Sequence, residues 1–317
     1  MKPAKRKAII IAAVCVAAGM LLSFTALAAL DFNFFELSTM GAASNTYVFP
    51  DAFPFANITV RGAECDVRLL PSADGDCTVV CNETDRITHT VTVENDTLII
   101  KRTDDRKWFE HIGIMWNYWG PIEVLVYLPE RIYENLYIET VSGAVEVPDD
   151  FSFSKADVDG VSGDIHFMAA VRGDLSIQNV SGGIKVDSID VAGAFTCENV
   201  SGKQTVSHVT CQSATISSIS GGVSLSDLIA SGSIRAESVS GHLDLTRCDA
   251  GTLWLKTVSG SVIGTLCTEK VFAASTTSGN IRVPDTATGG RCEVETVSGN
   301  INLGIASYPA VASAVPG

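Results

Sequence analysis

The residue types able to do chemistry are present in this chain, but they are scattered. Its five histidines, His89, His111, His166, His208 and His242, do not cluster in sequence. Serine nucleophiles of the hydrolase type sit in a Gly-x-Ser-x-Gly elbow, and none of the many Ser-Gly pairs forms one. Asp157, Asp159 and Asp164 come nearest to a calcium site, yet a calcium-binding β-roll needs a nine-residue Gly/Asp period, which is absent. The nine cysteines make no Cys-x-x-Cys pair and no His-containing zinc spacing. The sequence therefore predicts no catalytic constellation, no metal and no cofactor. A polysaccharide-active solenoid enzyme, with carboxylates and bases along one groove, is kept as the lesser alternative. Outward-facing polar ladders explain the scattered acids more simply.

Two groups of residues are candidates for binding. Glu139, Asp159, Glu198, Glu237 and Glu295 each stand four residues before the glycine of a recurring triplet. They should share one outer column, where like charges repel and a cationic partner would relieve the cost. The other reading of this column is a solvated face. The second group is Trp108, Trp116 and Trp119, three of the four tryptophans, in a segment that also holds Phe109, Ile112, Ile114, Met115 and Tyr118. Such a segment suits either a sugar, lipid headgroup or protein, or the covering of an open end of the fold.

These residues are positioned by a repeat. Val-Ser-Gly or a close variant recurs nine times, ending at Gly143, Gly163, Gly182, Gly202, Gly221, Gly241, Gly260, Gly279 and Gly299, at intervals of 19 or 20 residues. Five residues before each glycine stand Ile138, Val158, Ile177, Cys197, Ile216, Ala236, Leu255, Ala274 and Val294. Seven before stand Leu136, Ala156, Leu175, Phe195, Ala214, Ile234, Leu253, Phe272 and Cys292. Both columns are apolar, and the column between them is mostly polar. Alternation of period two marks strands with one buried face. A 19–20-residue coil is too short for a four-stranded propeller blade and lacks a leucine-rich consensus. The fold class expected is all-β: a single-stranded parallel β-solenoid, right-handed by the crossover rule, of about nine coils stacked in sequence order. The small polar column before each valine, from Thr140 to Thr296, should hydrogen-bond along its ladder or to the bend. The corner glycines should take positive φ or let neighbouring backbones approach closely.

The domain reading is a cytoplasmic basic cluster and transmembrane anchor over 1–30, a juxtamembrane linker over 31–56, degenerate β coils forming a cap over 57–134, regular repeats over 135–305 and a tail over 306–317. The anchor rests on Lys2, Lys5, Arg6 and Lys7 followed by Ala8 to Leu30, which is free of charge. About 20 apolar residues span a bilayer, whereas a secretory apolar core is about 7–15. Cleavage after Ala26-Leu27-Ala28, giving a secreted chain, is the alternative. Positive-inside logic places the remainder outside the cell. Asn95-Asp96 reads as a hairpin turn. Cys248 and Cys267 are expected to stack in one column, and the disulfide state of these two and of Cys65, Cys77 and Cys81 stays open.

Formal net charge is −14, and four of the 22 basic residues lie in that N-terminal cluster, leaving 18 basic against 36 acidic residues beyond it. So acidic a body repels phosphate backbones, which excludes nucleic acid as a partner. The expected partners are the membrane, through the N-terminal helix, and an envelope protein, peptide or polymer.

At this level the chain resembles the bacterial adhesin-like family of domains of unknown function. The resemblance is carried by the basic-plus-apolar N-terminus and the Val-Ser-Gly turns. It extends to Leu70-Pro71-Ser72, Asp104-Asp105-Arg106-Lys107-Trp108 and Tyr127-Leu128-Pro129, and covers residues 45 to 305. The chain departs from the family in having Val-Ser where many relatives have Thr-x-Thr, and Asp after the glycine only at Asp164. The resemblance implies a β-solenoid in the cell envelope, a non-enzymatic adhesin-like scaffold or binding module, or else an envelope-stress sensor. It brings no catalytic residues.

Overall fold

A computed structural model describes residues 43–50, 55–83, 87–104 and 123–306. The expected anchor at Ala8–Leu30 and the Trp108–Trp119 segment lie outside the described residues, as do most of the linker and the tail. Among the described residues every regular element is a strand, and no helix is long and apolar enough to cross a membrane.

The strands wind into a parallel β-solenoid of about nine turns. Successive repeats pair in register: Ile138 with Val158, Val158 with Ile177, Ile177 with Cys197, and Cys197 with Ile216. Both apolar columns turn inward and form one continuous core from Phe55 to Leu303. Gln204 breaks the apolar pattern of the first inward position after the glycine. It is fully buried there, and its side-chain amide donates to the Ser217 carbonyl at 2.7 Å.

The corners explain the triplet. A Cβ on Gly221 would lie 1.7 Å from the Gly202 carbonyl oxygen, and one on Gly163 would lie 2.1 Å from that of Gly143. Each corner glycine thus seats directly on the backbone of a neighbouring coil. Positive φ is an additional demand at Gly143, Gly163, Gly182 and Gly202. The small polar residue three places earlier is buried and bonds to the bend. Asn179 Nδ2 donates to the Gly163 carbonyl at 2.8 Å, and Thr257 Oγ1 to that of Gly241 at 3.1 Å.

The coils do not stack throughout in sequence order. The last repeat, strands Gly290–Ser298 and Ile301–Ile305, lies between the Gly260 coil and the Gly279 coil. Leu255 therefore pairs with Val294, and Val294 with Ala274. The Gly279 coil, strands Lys270–Ser278 and Ile281–Arg282, is outermost. To get there the chain passes one layer at Glu269–Lys270, where buried Lys270 pairs with Asp249 at 2.6 Å.

The other end uses the same device. Strand Asn57–Ala63 lies between Thr97–Asp104 and Ile132–Thr140, and Asp66–Pro71 between Glu123–Leu128 and Val145–Val147. Beyond these parallel layers, Cys77–Glu83 pairs antiparallel with both Glu123–Leu128 and Ala43–Phe49. Ile87–Glu94 pairs antiparallel with Thr97–Asp104 through the expected hairpin, whose Asn95 and Asp96 have φ of 48° and 61°. The Ala43–Phe49 strand falls within the stretch read from sequence as linker.

One column expectation fails. Cys248 pairs with Leu266, not with Cys267, because the register shifts between Leu245 and Cys248. Arg247 occupies a left-handed corner there, with φ of 50°, and takes up the extra residue. Cys248 points into the core while Cys267 is half-buried, and all eight cysteines from Cys65 to Cys292 are free thiols.

Candidate functional site

One outer face of the solenoid carries the acids found in the sequence. Its strands alternate, so residues six, four and two places before each corner glycine point outward together. Register places Glu139 beside Asp159, Asp159 beside Gln178, Gln178 beside Glu198, Glu198 beside Ser217 and Ser217 beside Glu237. Glu237 is followed by Lys256 and then Glu295, which the inserted last coil brings into the column.

The charges do not add along the whole column, because cations neutralise its far half. Arg235 Nη2 lies 2.6 Å from Glu237 Oε1, and Lys256 Nζ lies 3.2 Å from Glu295 Oε2. At the other end Arg61 pairs in register with Glu139, and its guanidinium sits 5.4 Å from the centre of the Tyr137 ring. Between these ends, Asp159 and Glu198 have no ion-pair partner among the described residues. The Tyr137 hydroxyl stands 3.4 Å from an oxygen of Asp159 and 3.4 Å from one of Glu139. Burial, then the charges of Asp157 and Glu139, push the Asp159 carboxyl above its ordinary pKa, against the opposing Tyr137 hydrogen bond. The negative potential is therefore centred on Asp157, Asp159 and Glu198.

Beside the acids runs a column that sequence reasoning passed over. The valine of the triplet faces solvent: Val141, Val161, Val180, Val200, Ile219, Val239, Val258 and Val297 are 40–52% exposed. At roughly 4.8 Å per layer this makes an unbroken aliphatic stripe about 35 Å long. The coil insertion preserves the stripe, since Ser298 N donates to the Val258 carbonyl at 2.9 Å and puts Val297 next to Val258. Extending the period-two alternation two residues past the acid would have found it. Between the columns lies a shallow groove of about 380 Å³ bordered by Asp157, Asp159, Glu198, Val180, Val200 and Ile219. Carboxylates on one wall and aliphatic carbons on the other suit an extended segment that alternates cationic and apolar groups.

Trp108, Trp116 and Trp119 lie outside the described residues. Among the described residues, one group brings three metal-ligating side chains together: Cys81, Glu83 and His89, whose ligand atoms all lie within 4.8 Å of one another. The sequence reading found no metal spacing because these three lie on two strands that do not pair with each other, Cys77–Glu83 and Ile87–Glu94.

Comparison with known proteins gives the chain its family. No curated protein matches it. Among solved structures, a provisionally named adhesin from Bacteroides fragilis is 12% identical, with TM-score 0.42, covering 84% of this chain and 98% of its own. A second from Parabacteroides distasonis is 9% identical, with TM-score 0.43, covering 85% of this chain and 98% of its own. A provisionally named cell adhesion protein from Clostridium sporogenes is 9% identical, with TM-score 0.20, covering 84% of this chain and 100% of its own. The family model described as Toastrack DUF4097 matches residues 55–265 and again 174–314, which together span the solenoid. On that match the chain belongs to the Toastrack DUF4097 family.

Proposed function

We propose that this protein is a non-enzymatic, adhesin-like scaffold of the cell envelope whose acid-and-valine face binds an extended cationic peptide or polymer. The observation that carries the reading is the strict register of the two columns. Asp159 and Glu198, which have no ion-pair partner among the described residues, stand beside an unbroken stripe of exposed aliphatic side chains. A monomeric soluble surface rarely leaves so long an apolar stripe uncovered. A partner that buries it while meeting the carboxylates gains both hydrophobic contact and charge complementarity. In this reading Ala8–Leu30 anchors the chain in the membrane with the solenoid outside. Two measurements on the full chain test the proposal. Protease added to intact protoplasts digests the solenoid, whereas full protection refutes the orientation. A peptide alternating lysine and leucine binds without being turned over, whereas steady cleavage of an envelope glycan refutes the non-enzymatic role.

A further inference from the structure

The antiparallel layer at the N-terminal end of the core holds a polar group that the packing leaves uncompensated. Cys81 and Glu83 lie two residues apart on strand Cys77–Glu83, so their side chains share a face, and that face is buried. His89 lies on the inward face of strand Ile87–Glu94. All three side chains are buried, Glu83 to 4% and His89 to 6% exposure.

The partners of this group do not balance it. Glu83 Oε1 accepts from the His89 backbone N–H at 2.6 Å and stands 3.2 Å from His89 Nδ1. Its Oε2 accepts from the Asn45 side-chain amide. Neither Lys nor Arg pairs with Glu83 among the described residues, while Arg102 is held 2.8 Å from Glu64. Burial lowers the His89 pKa, with Glu83 pulling the other way and Arg102 adding to the fall, so the imidazole is neutral at pH 7. His89 Nε2 is buried and has no hydrogen-bond partner among the described residues. Burial pushes the Cys81 thiol up to about 12, so it is protonated. A buried carboxyl group without a cation and an orphaned imidazole nitrogen each oppose folding. A divalent cation held between Glu83 and the imidazole supplies the positive charge that the carboxylate lacks.

We propose that Cys81, Glu83 and His89 form a binding site for one divalent transition-metal cation of the zinc class. Thiolate, imidazole and carboxylate are the donors that zinc takes, at about 2.3, 2.0–2.1 and 2.0–2.2 Å. Tetrahedral ligands at those lengths lie roughly 3.5 Å apart, so the three side chains close by about 1 Å on the ion. The metal–sulfur bond forms as the Cys81 thiol gives its proton to solvent, so binding releases one proton per ion and weakens as pH falls. The ion ties strand Cys77–Glu83 to strand Ile87–Glu94 across the residues that connect them.

The test uses the full chain in detergent, reduced and stripped with chelator, then titrated with cobalt(II). The expected result is one ion per chain, a thiolate-to-cobalt charge-transfer band, displacement by zinc and a raised Tm. Cys81→Ser abolishes the band and weakens zinc binding by about tenfold or more, since even outer-shell losses cost 10- to 100-fold. Cys267→Ser, at a half-buried thiol elsewhere, leaves both unchanged. X-ray absorption on the wild-type zinc complex is independent of any variant's folding and should show one sulfur with a nitrogen/oxygen shell. Three results overturn the proposal: no stoichiometric ion on the folded wild type, a coordination shell without sulfur, or an intact charge-transfer band in folded Cys81→Ser.

Discussion

Glu295 forms its ion pair with Lys256, Oε2 to Nζ at 3.2 Å, across a layer boundary that joins two coils distant in the chain. The pair exists because the last repeat is inserted inside the stack, and the first coil is tucked in the same way behind Thr97–Asp104. A solenoid whose terminal coil lies outermost frays from that end, because contacts run only to nearest neighbours. Here the coil of Asn57–Ala63 and Asp66–Pro71 and the coil of Gly290–Ser298 and Ile301–Ile305 are each paired on both sides; the Gly279 coil takes the exposed edge at one end, and Ile87–Glu94 and Ala43–Phe49 take it at the other.

The insertion predicts a cross-link. Lys256→Cys with Glu295→Cys places two thiols on adjacent layers about 4.8 Å apart, within the range a disulfide spans. Lys256→Cys with Ser275→Cys separates them by two layers, about 9.6 Å, which is too far. Mild oxidation should bridge the first pair and leave the second free, as read by mobility on a non-reducing gel. Bridging of the second pair alone would restore simple sequence-order stacking.

The glycine corners predict a sharp contrast between neighbours. Gly221→Ala puts a methyl 1.7 Å from the Gly202 carbonyl oxygen, whereas Gly222→Ala meets nothing within 4 Å. The first should destabilise by more than about 4 kcal/mol, in the range where a named clash is needed, and the second by less than about 0.5 kcal/mol. Urea denaturation midpoints decide it, and equal midpoints would remove close approach as the reason for the triplet.

Burial of His89 predicts how metal-free stability responds to acid. Its folded pKa lies below the unfolded value of about 6.5. Below that pH the unfolded chain holds more protons than the native one, so stability is present above about 6.5 and is lost as pH falls toward the lower folded pKa. His166 is lowered in the same direction, first by burial, so it contributes a residual slope. In metal-free protein Tm should fall below about pH 6.5, and His89→Gln should flatten that fall. An unchanged slope in the variant would show that His89 is not the responsible group.

Much of this architecture was legible in the sequence because a ladder repeats one environment in every coil. Ile138, Val158 and Ile177 report the same inward position and reinforce one another. Coil order was not legible, since the Gly279 and Gly299 repeats carry the same pattern and nothing local says which lies on Gly260. The offset of Cys267 from Cys248 was hidden because Arg247 absorbs a residue in a left-handed corner. The acid column was visible, as were Arg235 two residues before Glu237 and Lys256 within the column, but the meeting of Lys256 with Glu295 depends on the inserted coil. The valines were read as part of a turn consensus, although strand alternation already pointed them outward. Cys81, Glu83 and His89 meet only when strands Cys77–Glu83 and Ile87–Glu94, which do not pair with each other, pack into the antiparallel layer.

The central claim is that cation recognition rests on the unpaired acids beside the valine stripe. It is tested most directly by titrating a lysine–leucine peptide onto the full chain across salt concentrations. The compared variants are the double variant Asp159→Asn/Glu198→Gln and the double variant Glu237→Gln/Glu295→Gln. Exposed charges are screened over about 8–10 Å at 0.1–0.15 M salt. The first variant should bind roughly tenfold more weakly, a loss of about 1.4 kcal/mol, with a shallower salt dependence. The second should change little, because Arg235 and Lys256 already neutralise those carboxylates. Equal binding and equal salt slopes in the wild type and the first variant would contradict the account.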